Sequence, residues 1–370
     1  MSHKSNEALK TIMLVKRWGH HTKSGGYSRL RTEIPHSKII QPRAYSNYFL
    51  KKNGRRILNR VLPSARHINL YNIGDLIAEL NVFYEASRRQ YSLIHSLYAE
   101  DQLNILLTYK KRLRTALIGT FHLPPESNYM RRVLKADKVQ RFRNLDGAIA
   151  VSRSLATFYE DWIGKGKVTY IPLGVDIDAF TPDLNLKSQT DTTPLHVLIV
   201  GSHGRDWSVI DKVMKAVKEN DIPIRFTAVI RPSLRKRFDE HPEVQLFSDI
   251  SEPELIALYR KSDVLLMPVT FATANNSLLE SLACGTPVIS TNTGGIPDYL
   301  NNHSGWLMPN GDAYAIYNLL TELTFSRSLI REKKEAARQW AINFSWENVA
   351  NRISEFYKEV ASRSNTFDNG

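Results

Sequence analysis

The sequence predicts an α/β protein built as two doubly wound domains, and three observations point that way. Its 370 residues exceed what one ordinary hydrophobic core organises, so two domains are expected. Short β-branched or aliphatic runs alternate with longer helical patterns, the signature of parallel α/β layers. A polar stretch without periodicity, DLNLKSQTDTT at 183–193, followed by Pro194, separates two such series and reads as a linker.

Before the linker, residues 11–15 (TIMLV), 92–97, 115–121, 147–152 and 168–173 read as strands. Residues 73–89 read as a helix. After it the order is a strand at 196–201, a helix at 208–217 and a strand at 224–230. Then come a strand at 244–248, a helix at 253–262, a strand at 264–269, a helix at 277–284 and a strand at 287–291. The expected organisation is an N-terminal domain over 1–182 and a C-terminal domain over 194–345. A last helix and tail, 346–370, is expected to cross back to the first domain. Doubly wound domains bind ligands at the carboxyl ends of their strands, and the cleft between two of them is the expected site.

Composition is that of a globular protein, with 42% hydrophobic and 24% charged residues. Cys284 is the only cysteine, which excludes an internal disulfide and any zinc site built from cysteines. The polar start MSHKSNEALK lacks the apolar core of a signal peptide, and no run approaches the ~20 apolar residues of a membrane span, so a cytosolic protein is expected. The net charge of +13 is uneven: residues 1–185 hold 30 Lys and Arg against 15 Asp and Glu, and the remainder 20 against 22. The excess is clustered at Lys51, Lys52, Arg55, Arg56 and Arg60, at 110–114 and at 131–143. Such a half suits an anionic partner, a bilayer surface or nucleic acid; the plainer reading is a solvated basic face. Residues 41–62 add Tyr45, Tyr48, Phe49 and Leu50 to these cations, the combination used at membrane interfaces.

The most informative stretch is SLLESLACGTPVISTNTGGIPD, 277–298. A helix carrying Glu280 stops at Gly285, whose tolerance of positive φ suits a C-cap. A buried strand follows and exits into Thr293-Gly294-Gly295. With Asn276 or Ser277 as N-cap, the free amides and positive dipole end of that helix would favour a phosphate. Each glycine alone is more often a turn than a site.

Taken whole, the stretch resembles the C-terminal signature of the retaining GT-B glycosyltransferases often numbered family four. There a glutamate precedes a segment close to CGTPVIS and then GGIPD. Further resemblance lies in 149–182 (IAVSRSL…IPLGVDIDAFTP), 244–268, SGWLMPNGD at 304–312 and the final segment 344–360. The resemblance implies a GT-B fold and transfer of a hexose from a nucleoside-diphosphate sugar, with UDP the expected carrier, to an acceptor hydroxyl. It implies no cofactor and no metal. It places the glutamate at Glu280 on the nucleotide ribose, and the amides of Asn276, Ser277 and Leu278 with Gly201 at the donor.

Gly201-Ser202-His203-Gly204-Arg205 ends the first strand of the second series, where relatives use cations on the diphosphate. Arg205 is the candidate, with Arg231 after the next strand as the second; a surface salt bridge from Arg205 to Asp206 is the competing reading. In the first half, Gly25 and Gly26 of KSGGY resemble a glycine-rich loop, against a plain turn. His122, in FHLPP, resembles the family histidine beside the transferred sugar, expected to hydrogen-bond a hydroxyl or developing charge. His95, in LIHSLY, also ends a strand and is a candidate at the acceptor. Asp176 and Asp178 form an Asp-x-Asp, but in a segment that relatives use structurally. One departure stands out: relatives have another glutamate before this one, with seven residues between the two, and this chain has Ala272 there. A glycolipid or lipid-linked sugar is the expected acceptor. A soluble acceptor, a phosphorylase or epimerase on the same fold, and a non-catalytic or nucleic-acid-binding protein are the alternatives.

Overall fold

The computed structural model describes residues 9–16, 27–42, 56, 60, 71–88, 91–124, 127, 130–131, 138–183 and 194–367. By contacts they fall into two compact units. The first takes the described residues up to Pro172 together with Glu347 onward, and the second takes Leu173–Trp346.

The first unit holds one six-stranded, all-parallel sheet: β1 (Thr11–Leu14), β2 (Ser37–Ile40), β3 (Leu93–Ser96), β4 (Ala116–Phe121), β5 (Gly147–Ala150) and β6 (Val168–Tyr170), ordered β2-β1-β3-β4-β5-β6. Residues of β1, β3, β4 and β5 are buried throughout, as expected of strands covered on both faces. Around them pack α1 (Ile73–Ser87), α2 (Arg153–Ile163) and most of α8 (Trp346–Phe367). Asn72 starts α1 with a capping box: its side chain accepts from Gly74 and Asp75 amides while Asp75 returns the bond. The last helix approaches β5 so closely that a Cβ at Gly147 would lie 2.7 Å from Val360 Cγ2, which explains the glycine.

The second unit repeats the plan with β7 (Leu195–Val200), β8 (Ile224–Val229), β9 (Gln245–Phe247), β10 (Val264–Met267), β11 (Val288–Thr291) and β12 (Gly305–Met308), again all parallel in the order β12-β11-β10-β7-β8-β9. Its helices include α3 (Trp207–Glu219), α4 (Glu252–Lys261), α5 (Asn276–Ala283), α6 (Ala313–Phe325) and α7 (Ser328–Ile342). Leu195, Val197 and Ile199 share one face of β7 by the two-residue period of a strand. Against them sit Val209, Ile210, Val213, Met214 and Val217, one stripe of α3.

Two strands, β2 and β12, are absent from the sequence reading. Both lie at sheet edges and leave most of their residues half-buried or exposed, so neither carries a strong apolar run. The division of the chain also differs from 1–182. Residues 173–183 belong to the second unit: the Val175 amide donates to Phe344 O at 2.8 Å, and a Cβ at Gly174 would lie 2.5 Å from the Trp346 ring. The linker candidate 183–193 lies outside the described residues except for Asp183. No described helix is long and apolar enough to cross a membrane.

Candidate functional site

In the second unit, the loops after β7 and β10 meet the start of α5. Arg205 and Val269 form an antiparallel bridge, flanked by Thr270 N–H donating to Gly204 O at 3.2 Å and Asp206 N–H donating to Pro268 O at 2.9 Å. The polypeptide thereby presents Arg205 beside Ser277.

Arg205 is 6% exposed. Its Nε and Nη2 donate to the Val200 carbonyl, Nη1 to His203 O at 3.3 Å, and Nη2 reaches Ser277 Oγ at 3.5 Å. Among the described residues no carboxylate pairs with it. Asp206, the partner of the competing salt-bridge reading, instead caps α3 through the Val209 amide at 3.2 Å. Burial pulls the guanidinium pKa down to about 10, so it remains charged at neutral pH. Gly201 exists to admit it: φ is +88°, and a Cβ there would lie 2.7 Å from Arg205 Nη2.

The N-cap of α5 is Asn275, not Asn276 or Ser277. Its side chain accepts from the Leu278 amide at 3.3 Å. The Leu278 amide is therefore committed, and its side chain is fully buried. This removes Leu278 from the donor residues expected above. The Asn276 and Ser277 amides keep the free positions at the helix start, since among the described residues neither has a protein partner. A cation without a counter-ion thus sits against two unpaired amides and a positive dipole end, an arrangement complementary to a diphosphate.

One turn along α5, Glu280 is 7% exposed. Tyr259 of α4 donates its phenol hydrogen to Glu280 Oε2 at 3.0 Å. Burial pushes the carboxyl pKa up to about 7, against the lowering by the Tyr259 hydrogen bond. The helix ends as the sequence predicts, with Gly285 at φ +76° and the Thr286 amide donating to Ser281 O at 2.9 Å. Ala272, where relatives carry a glutamate, accepts from the Gly295 amide at 2.7 Å. A Cβ at Gly294 would strike that same carbonyl at 2.4 Å, so the glycine turn and the loop before α5 are locked together. Arg231 is exposed, and its amide donates to Ser202 Oγ at 2.9 Å.

In the first unit, His122 leaves the carboxyl end of β4 half-buried. Its Nε2 donates to Leu97 O at 2.8 Å, which fixes the orientation of the ring. Tyr98 stacks on the imidazole at 4.7 Å and Tyr27 meets it edge-on at 5.0 Å. Beneath it Glu100, 1% exposed, accepts from the His122 amide and from the Leu123 amide at 2.7 Å. Burial, with Asp101 adding repulsion, pushes Glu100 up to about 8. Glu100, Tyr98 and Tyr259 escaped the sequence reading. The acid in LYAED directly after a strand was the available signal for the first two.

His95 is not an acceptor contact. It is fully buried, with Nδ1 2.6 Å from Tyr357 Oη and Nε2 2.7 Å from Thr120 Oγ1, so it clamps α8 onto the sheet. Burial pulls its pKa down to about 3 and keeps it neutral. Asp176 Oδ1 accepts from the Asp178 and Ala179 amides, the work of a turn. Gly25, Gly26, Tyr45, Lys51, Lys52 and Arg55 lie outside the described residues; Arg56 is exposed.

Two family models match the chain: "Glycosyl transferases group 1" over residues 177–324 and "Glycosyltransferase Family 4" over residues 40–179. A D-inositol 3-phosphate glycosyltransferase of Corynebacterium urealyticum is 24% identical over 352 residues, covering 83% of this chain and 82% of its own. The chain is a glycosyltransferase of the GT-B fold. Solved structures place the fold over nearly all of this glycosyltransferase. Sucrose-phosphate synthase from Thermosynechococcus elongatus matches with a TM-score of 0.70 at 18% identity, covering 96% of this chain and all of that one. The Anabaena protein HepE, solved in complex with UDP, gives 0.68 at 15%, covering 95% and 100%.

Proposed function

We propose that this glycosyltransferase moves a hexose from a nucleoside-diphosphate sugar, with UDP as carrier, to an acceptor hydroxyl, and that the new bond retains the donor's anomeric configuration. The observation that carries the donor half of this reading is Arg205. A buried guanidinium without a carboxylate partner, placed at a helix start with two unpaired amides, is an unfavourable arrangement until an anion completes it. A diphosphate supplies that anion, and Arg231, exposed at the end of the neighbouring strand, adds a second cation.

Glu280 stands one helical turn away, the place for a carboxylate that accepts from ribose hydroxyls. As the sugar leaves, negative charge grows on the diphosphate. Arg205 and the α5 amides are already oriented to stabilise it, so little reorganisation is needed at that moment. His122, with Nε2 occupied by Leu97, contributes an oriented imidazole that hydrogen-bonds at the reacting sugar rather than a base. Retention follows from the family resemblance of the α5 segment. UDP as carrier is supported by the ligand of the HepE structure.

Acceptor recognition is assigned to the first unit. The charge excess of residues 1–185 fits an anionic acceptor or an acceptor set in an anionic bilayer. The relatives named for inositol phosphate favour the former. Flotation with phosphatidylglycerol-containing and neutral liposomes separates the two, because lipid-independent behaviour excludes the bilayer.

A thermal-shift panel of nucleotide sugars tests the donor reading, since a ligand bound only by the folded state raises Tm with its affinity. UDP-sugars are expected to raise it, and Glu280→Ala to abolish the shift while circular dichroism stays unchanged. A Glu280→Ala protein that responds like wild type would overturn the ribose contact.

A further inference from the structure

Glu280 does not stand alone in the second unit. Tyr259, on α4, is fully buried, and burial with the neighbouring Glu280 charge holds its phenol far above its ordinary pKa. The phenol therefore always carries its hydrogen. It directs that hydrogen to Glu280 Oε2 at 3.0 Å. One turn before Glu280 on α5, Ser277 Oγ lies 3.5 Å from Arg205 Nη2. The first turns of α5 thus carry Ser277, beside Arg205, and Glu280, bonded to Tyr259. The aromatic ring is held by Phe180, with centroids 6.4 Å apart, and the Tyr259 carbonyl accepts from Thr286 Oγ1 at 2.7 Å. Both ends of the tyrosine are fixed.

We infer that Tyr259 is a positioning residue for the donor: its phenol pins one oxygen of Glu280 so that the other is presented to the nucleotide ribose. This rests on the ribose role proposed for Glu280 and adds to it a residue that touches no substrate. A glutamate side chain has three rotatable bonds, and freezing them before the ligand arrives removes part of the ordering cost of binding. A packing role alone would ask only for the aromatic ring, which phenylalanine supplies. A positioning role asks for the hydroxyl, and its loss must appear in what Glu280 recognises.

The test compares UDP with 2′-deoxy-UDP by calorimetry in wild type, Tyr259→Phe and Thr286→Val. Wild type is expected to prefer UDP by about tenfold, the order of one hydrogen bond to a charged group. Tyr259→Phe is expected to keep its fold and its binding of 2′-deoxy-UDP, but to lose most of the preference. Thr286→Val, which removes the bond that anchors the Tyr259 carbonyl, is expected to lose a smaller part. A preference that survives at wild-type size in Tyr259→Phe overturns the positioning role and leaves the ribose reading intact. A wild type indifferent to the 2′-hydroxyl overturns the ribose reading, and this inference with it. If Tyr259→Phe lost thermal stability, Thr286→Val would decide: an undiminished preference there overturns the inference.

Discussion

Each unit of this glycosyltransferase buries a carboxyl near its polar end, and the two are held in different ways. Glu100, in the first unit, accepts from main-chain amides of His122 and Leu123. Glu280, in the second, accepts from a side chain, the Tyr259 phenol. Burial raises both, to about 8 and about 7. The difference teaches where chemistry can be expected. A carboxyl bound to main-chain amides of another segment fixes a loop, and here it fixes the loop that carries His122. A carboxyl bound through a side chain, with part of its surface still exposed, has capacity left for a ligand.

The largest test of that contrast is the cation beside Glu280. Arg205→Ala is expected to weaken UDP binding more than ~100-fold while leaving uridine nearly unaffected, because the buried charge serves the diphosphate and not the ribose. It should also cost on the order of 2 kcal/mol of stability, since the Val200 carbonyl loses its donors. Equal losses for UDP and uridine in titration calorimetry would mean that the arginine only shapes the loop.

His122→Ala probes the other side of the comparison. Turnover is expected to fall ~10–100-fold with donor affinity little changed, the usual scale for a polar group acting on the reacting centre. A fall confined to KM would instead make His122 a binding residue.

The two carboxyls also predict a pH effect of definite sign. A carboxyl whose folded pKa is raised gives up stability as pH rises from its ordinary value through the raised one. For Glu280 the window runs from 4.5 to about 7, and the cost of ionising it is on the order of 3 kcal/mol at most. Glu280→Gln removes this titration. Its stability relative to wild type should therefore improve between pH 4.5 and pH 8, read from denaturant midpoints. A difference constant across that range would show that Glu280 titrates normally.

The smallest effect belongs to His95. Tyr357→Phe deletes the bond to Nδ1 and should cost about 1 kcal/mol without changing turnover. A clear loss of activity would return His95 to the list of site residues.

Much of the layout was legible before any coordinates. The hydrophobic runs of β7, β10 and β11 and the stripe of α3 are written by period alone, because strands buried on both faces must be apolar throughout. Gly285 as a helix stop followed from its freedom at positive φ. Other features were hidden because their cause lies far along the chain. Tyr259 and Glu280 are 21 positions apart, and nothing in either segment announces their bond. His95 and His122 look alike in sequence, each at the end of a strand. Only the arrival of Tyr357, 262 residues beyond His95, turns one of them into a clamp.

By itself, then, the sequence determined the two parallel sheets, the resemblance of the α5 segment and the position of Glu280 on it, since these depend on local pattern. The tertiary structure decided which polar groups are satisfied and which are left over. It took Asp206 away from Arg205, gave the Leu278 amide to Asn275 and set the 173–183 segment against Phe344 and Trp346. Whether a buried charge has a partner depends on distances across the fold, and sequence spacing does not carry those.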